Sequence, residues 1–321
     1  MNNLFLILTS ISGLAVGPIL IYFTSKIILK NAEVLINKFL ITIPIIGILI
    51  LPLTTALPNL FVSIASVLKG VPEIVYLNNI GNNIANLTLI VAICALVSGK
   101  FVVTKSILIK RDSLFLLIST IISVLLMSDG ILTRSDGMIL VLVYSFYFLT
   151  MVREENISQR KKTNTNPIKN ISLIILAGVV MYVSAELIVW SAKNIIFLTS
   201  LSSTFVGSVI VGLATVLPEA SVMLLASYKK EINVSFSNLI GDSLASIPLV
   251  IGIMSILYPL KIGAKTINIL LPFLLISTTV FLLIIYGDPL LLRFNVKKYD
   301  IKITEALLLI MIYILFMYFT F

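Results

Sequence analysis

Two short polar stretches inside long apolar runs carry the residues that could do chemistry: Thr55-Ala56-Leu57-Pro58-Asn59 and Thr215-Val216-Leu217-Pro218-Glu219. Thr55 and Asn59 are four apart, as are Thr215 and Glu219, so on a helix each pair shares a face. A second polar set follows each stretch. Asn78, Asn82 and Asn86 form an i, i+4, i+8 stripe with Asn83 beside it, and Asn238, Asp242 and Ser246 form its counterpart with Ser243 beside it. The ligating atoms on offer are carboxylate, amide, hydroxyl and main-chain oxygens. Such a set suits hard cations such as Ca²⁺, Na⁺, Mg²⁺ or Mn²⁺ and offers nothing soft for copper or zinc. Glu219 carries the most weight. A carboxylate at membrane depth costs about 2.5–3.5 kcal/mol, and no Lys or Arg stands mid-span nearby to offset it. Asp242 follows the same argument.

Pro58 and Pro218 sit beside these residues. Proline lacks the backbone donor that would bond the carbonyl four residues earlier. The sequence therefore predicts interrupted helices, with the carbonyls of Thr54 and Ala214 free to face a cation. Pro52 and Pro248 add further breaks.

The elements that must position these residues follow from composition. The 321 residues are 59% hydrophobic and 12% charged, against about 25% charged in a soluble globule, and the mean hydropathy is +1.14. Apolar runs of membrane-spanning length recur throughout, so the fold class is an all-α polytopic membrane protein. There is no His and one Cys, Cys94 in an apolar run; a disulfide framework and a Cys-based zinc site are excluded within the chain. No phosphate loop, nucleophile–base pair or metalloprotease spacing is present, so an enzyme is not expected.

Ten spans are expected, at roughly 4–29, 39–68, 73–98, 112–128, 134–152, 171–196, 200–227, 232–259, 267–287 and 302–320. The polar segment 153–170, with Arg160-Lys161-Lys162, divides them five and five. Residues 1–152 and 171–321 are thus two five-helix units around a basic linker. Alternate loops place most basic residues on one side, including Lys26 to Lys38, Lys100 to Arg111, the linker, Lys229-Lys230 and Arg293 to Lys302. The positive-inside rule then puts the linker in the cytoplasm and both termini outside the cell membrane. The net charge of +9 reads as this topology signal and not as a nucleic-acid surface.

The two units are copies. At an offset of 160 residues, Tyr22 meets Tyr182, Gly47 meets Gly207, Thr55, Leu57 and Pro58 meet Thr215, Leu217 and Pro218, and Asn78, Ile80 and Gly81 meet Asn238, Ile240 and Gly241. An odd number of spans per copy makes the second enter the membrane in the opposite sense, an inverted-topology repeat whose binding site lies near the midplane. Gly81 and Gly241 are expected to allow close helix approach at that level. Outside it, Asp129-Gly130 and Asp136-Gly137 look like turn and cap residues, and Trp190 like an interfacial anchor.

The motifs Thr54-Thr55-Ala56-Leu57-Pro58-Asn59 with Asn78-Asn79-Ile80-Gly81-Asn82-Asn83, and Ala214-Thr215-Val216-Leu217-Pro218-Glu219 with Asn238-Leu239-Ile240-Gly241-Asp242-Ser243, resemble those of the calcium:cation antiporter superfamily, which includes the sodium/calcium exchangers. The resemblance implies ten helices in two inverted repeats and alternating access by sliding of the first and sixth spans. It implies cation ligation by Glu219, Asp242, Asn59, Asn82, Asn83, Asn86, Thr55, Thr215, Ser243 and Ser246, with Glu219 and Asp242 as the charged ligands. No prosthetic cofactor is implied; the partners are inorganic cations and the bilayer, and a monomer is the working expectation. This chain departs from the family at Asn59, where Glu is usual, and at Ala56 and Val216, where Ser is usual; the positions after the two glycines hold Asn82 and Asp242 in place of Ser. The expected activity is exchange of Ca²⁺ for Na⁺ or H⁺. The alternatives are an antiporter for another cation (Na⁺/H⁺ or another divalent ion), or a relative that kept the fold and lost transport.

Overall fold

The computed structural model describes residues 3–39, 44–99, 101–103, 111–154, 167–292 and 299–321. Ten continuous helical runs lie among them: α1 (Asn3–Phe39), α2 (Pro44–Leu68), α3 (Glu73–Ser98), α4 (Ser113–Met127), α5 (Arg134–Glu154), α6 (Pro167–Leu198), α7 (Ser203–Tyr228), α8 (232–257), α9 (266–292) and α10 (Ile303–Thr320). Seven contain stretches long and apolar enough to cross a membrane; the 56–68 part of α2 and α4 are shorter apolar helices. The chain is a multi-pass membrane protein. Its described surface is rich in exposed large apolar side chains such as Leu4, Phe23, Leu142, Ile175 and Met311.

Each expected span falls on a helical run, with shifted ends. α1 runs ten residues beyond its expected end at 29, because nothing between Pro18 and Pro44 breaks a helix. Pro44 opens α2, where its fixed φ and missing N–H cost nothing. The helices also encroach on the 153–170 linker, which begins inside α5 and ends inside α6; its 155–166 portion, with Arg160-Lys161-Lys162, lies outside the described residues.

α1 and α6 form a pair at the side of the bundle, each with only 28% of its apolar window buried, against 78% for α3. Lipid tails are as apolar as Leu, so helices in a bilayer associate through close packing and not through hydrophobic exclusion. Gly13 and Gly17, four residues apart on α1, supply that closeness. A Cβ at Gly13 would stand 2.2 Å from Ser191 Oγ, and one at Gly17 2.5 Å from the Ile188 side chain. The α1–α6 pair shares a small apolar core with α2 and α7 through Ile21, Val62, Ile188 and Val211. A larger core fills the rest, with Ile80, Leu116, Phe236, Phe281 and Phe316 fully enclosed.

Two short antiparallel pairings tie the halves of the chain together. β1 (Phe101–Val103), which follows α3, pairs with β4 (Tyr299–Ile301), in the α9–α10 connection. β3 (Leu260–Lys261), which follows α8, pairs with β2 (Ile131–Leu132), in the α4–α5 connection. Each pairing thus joins the segment after the third helix of one half to the loop between the fourth and fifth helices of the other.

The α4–α5 loop bears out the turn reading for its aspartates. Asp129 Oδ1 accepts from Ile131 N at 3.1 Å, Gly130 takes φ +89°, and Asp136 Oδ2 accepts from Thr133 N at 2.8 Å and Thr133 Oγ1 at 2.6 Å as a helix cap. Gly137 does more than turn. A Cβ there would lie 2.7 Å from the carbonyl of Gly252, so it lets α5 cross α8 closely.

Candidate cation-binding site

α2, α3, α7 and α8 meet at the centre of the bundle and bring the two polar sets together. The crossing of α3 and α7 is the tightest. A Cβ at Gly81 would fall 1.9 Å from the Ser208 carbonyl oxygen, one at Gly207 2.8 Å from Leu77 Cβ, and one at Gly212 3.1 Å from Asn82 N. Three glycines therefore fix the approach that puts Asn78 and Asn82 against Thr215. At Gly241 no described atom lies within 4 Å of a placed Cβ.

The helices are not interrupted, contrary to the expectation from the prolines. α2 is helical through Pro52 and Pro58, and α7 through Pro218. π-Helical stretches occur at 86–90 in α3, 206–211 in α7 and 245–251 in α8. Such local widening accommodates the backbone without unwinding it. Asn86 and Ser246 both sit in these stretches, and Pro248 lies inside the third.

The side chains of Asn59, Asn78, Asn79, Asn82, Asn83, Asn86, Thr215, Glu219, Asp242, Ser243 and Ser246 are all buried. Most are linked across the halves. Asn59 Oδ1 accepts from Asn78 Nδ2 at 3.2 Å and Asn82 Nδ2 at 3.4 Å. Thr215 Oγ1 donates to Asn78 Oδ1 at 2.8 Å and accepts from Asn82 Nδ2 at 3.3 Å. Asn83 Nδ2 donates to Ser246 Oγ at 2.8 Å, and Asn86 Nδ2 donates to Asp242 Oδ2 at 2.6 Å and to Asn82 Oδ1 at 3.2 Å. The side chains of Thr54 and Thr55 lie outside the described residues. Ala214 is buried in α7, four residues before Pro218.

The predicted ligands divide into two groups. Glu219 Oε1 and Oε2, Asp242 Oδ1, Asn86 Oδ1 and Ser243 Oγ have no hydrogen-bond partner among the described residues. The side-chain oxygens of Asn59, Asn82, Thr215 and Ser246 are already engaged by neighbouring amides. Two buried carboxylates with oxygens left over make an arrangement that a hard cation would complete, since an unpaired buried polar atom is costly. No group of three or more acidic, His or Cys side chains occurs among the described residues.

Ser63 and Asn79 belong to this network and were not singled out from sequence. Asn79 Nδ2 donates to Ser63 Oγ at 3.2 Å, and Ser63 Oγ to the Asn59 carbonyl at 2.7 Å. The signal available was the i, i+4 spacing of Asn59 and Ser63. Glu186, at the outer part of α6, is half-buried and pairs with Lys69 at 3.4 Å while accepting from Tyr182 OH at 3.0 Å.

Comparison with known proteins identifies the family. The sequence profile of the sodium/calcium exchanger protein family matches residues 9–153 and 169–321. The chain is 22% identical over 348 aligned residues to the sodium/calcium exchanger MaX1 of Methanosarcina acetivorans, covering 95% of this chain and 96% of the relative. It is 26% identical to the inner membrane protein YrbG of Escherichia coli, over 77% of this chain and 79% of that one. Its fold superposes on the sodium-calcium exchanger NCX_Mj with TM-score 0.65 at 23% identity, covering 96% and 98% of the two chains. On the H⁺/Ca²⁺ exchanger CAX the TM-score is 0.74 at 17% identity, covering 95% and 81%. The helical bundle, the central polar crossing and the match over nearly the whole length agree: the chain belongs to the sodium/calcium exchanger family.

Proposed function

We propose that the protein is a secondary active cation antiporter that exchanges Ca²⁺ for Na⁺ or H⁺ across the cell membrane by alternating access. The observation that carries this reading is the buried pair Glu219 and Asp242, with three carboxylate oxygens left unpartnered at the meeting of α3, α7 and α8. Two carboxylates neutralise one Ca²⁺, two Na⁺ or two protons, so the three loads compete for one place. Glu219, Asp242, Asn86 and Ser243 supply the free oxygens. Thr215, Asn82, Asn83 and Ser246 hold them in position, and the Ala214 carbonyl, opposite Pro218, is a further ligand. All ten helical runs span the membrane as two inverted five-helix repeats, 1–152 and 171–321, with the termini outside and the linker in the cytoplasm. The 160-residue sequence offset and the reciprocal pairing of β1 with β4 and β3 with β2 support the repeat. The laterally packed α1–α6 pair, held to the bundle by a small core of its own, is the element that slides.

The test is ⁴⁵Ca²⁺ uptake into proteoliposomes under an outward Na⁺ or an outward H⁺ gradient, with Glu219→Gln in parallel. Uptake driven by one gradient and abolished in the variant is expected. Uptake that persists in Glu219→Gln would remove the assignment; uptake of another cation alone, lost in the variant, would replace Ca²⁺ as the substrate.

A further inference from the structure

Position 59 is the repeat-mate of Glu219 and sits in the same polar cluster, yet its hydrogen bonds point the opposite way. Its Oδ1 is held by two amide donors, Asn78 Nδ2 and Asn82 Nδ2. Its Nδ2 is buried with no acceptor among the described residues. The amide ring is self-consistent. Asn78 accepts from Thr215 through Oδ1 and so turns Nδ2 to Asn59; Asn82 accepts from Asn86 through Oδ1 and so also turns Nδ2 to Asn59. An Asn in this setting has a free donor and no free lone pair.

The mates of the unpartnered oxygens show the same asymmetry. Glu219 and Asp242 keep free oxygens, whereas the oxygens at 59 and 82, one repeat earlier, are consumed within the amide ring. We infer that Asn59 is a hydrogen-bond donor and not a cation ligand, and that the chain therefore holds one Ca²⁺ at a time, on the free oxygens of Glu219, Asp242, Asn86 and Ser243. The inference rests on the reading of the cluster as a cation site.

It makes a prediction of sign. Removing a ligand weakens cation binding; removing a free donor does not. Ca²⁺ and, separately, Na⁺ are titrated by calorimetry into detergent-purified protein and into Asn59→Ala, Asn59→Asp, Asn86→Ala and Glu219→Gln, with the melting temperature of each cation-free protein measured alongside. The expected results are one Ca²⁺ per wild-type chain, a dissociation constant in Asn59→Ala equal to or below the wild-type value, and a loss of about tenfold or more in Asn86→Ala. Asn59→Asp keeps the acceptor for Asn78 and Asn82 and turns the donor into a charged oxygen, so it is expected to tighten Ca²⁺ binding by about tenfold. It also serves if Asn59→Ala, which strands two amide donors, fails to fold. Two Ca²⁺ per wild-type chain, weakening in Asn59→Ala, or weakening in Asn59→Asp overturns the inference while leaving the site reading intact. Undiminished binding in Glu219→Gln overturns the site reading itself.

Discussion

The contrast between Gly81 and Gly241 offers a sharp test of the central crossing. They are equivalent in the repeat, and sequence reasoning gives them one role. In the structure a Cβ at Gly81 falls 1.9 Å from the backbone oxygen of Ser208, 2.5 Å from its carbonyl carbon and 2.6 Å from its Cα. A Cβ is essentially never closer than 3.0 Å to such atoms, so Gly81→Ala forces α3 and α7 apart by at least about 1.1 Å. The obstacle is backbone, so no side-chain rotation relieves it. Overpacking of this kind costs about 1–3 kcal/mol. The displacement also acts on the bonds that bridge the crossing. Thr215–Asn78 at 2.8 Å and Asn82–Thr215 at 3.3 Å would open past hydrogen-bonding range. Gly241→Ala meets no described atom and gains about 1 kcal/mol of helix propensity. The assay is thermal unfolding in detergent combined with cation exchange in proteoliposomes. Gly81→Ala is expected to lower the melting temperature and abolish exchange, and Gly241→Ala to leave both near wild type. Equal behaviour of the two variants would refute the reasoning.

Two further outcomes are expected. Thr133→Ala removes the hydroxyl half of the α5 cap with Asp136 and should destabilise the protein by about 1 kcal/mol with exchange intact, as read from thermal unfolding; no measurable change would show that the cap contributes nothing. Lys69→Ala breaks an ion pair with Glu186 whose side chains are 38% and 34% exposed, so solvent screening limits its worth to about 0.2–1 kcal/mol. Its effect on the exchange rate should stay within about fivefold and shrink in high salt; a larger, salt-insensitive change would mark the pair as part of the transport cycle.

Much of the site was legible because membrane burial makes polar residues conspicuous. Glu219 and Asp242 stand out in apolar runs where a charge is expensive, and the repeat offset pairs each with a named partner. The amide stripe on α3 follows from spacing alone. The proline reading was only half right: the residues lie where expected, but the helices run on through Pro52, Pro58 and Pro218 and only Pro248 lies in a π-helical stretch, and local sequence does not say whether a helix widens or breaks. The packing roles of Gly207, Gly212 and Gly252 were not legible for a different reason. A small residue is meaningful only against the helix that crosses it, and that partner is distant in sequence. Asn79 was overlooked because it lies off the stripe; its bond to Ser63 exists only once α2 packs on α3.

Taken alone, the sequence determined that this is a helical membrane protein whose halves share residues at a 160-residue offset and carry an oxygen-rich set with two carboxylates, since hydropathy, repetition and charge cost are properties of composition along a line. The tertiary structure decided which oxygens of that cluster remain free. An amide has a donor end and an acceptor end of nearly the same shape, and only the neighbours that three dimensions bring to it determine which end is engaged and which stays free.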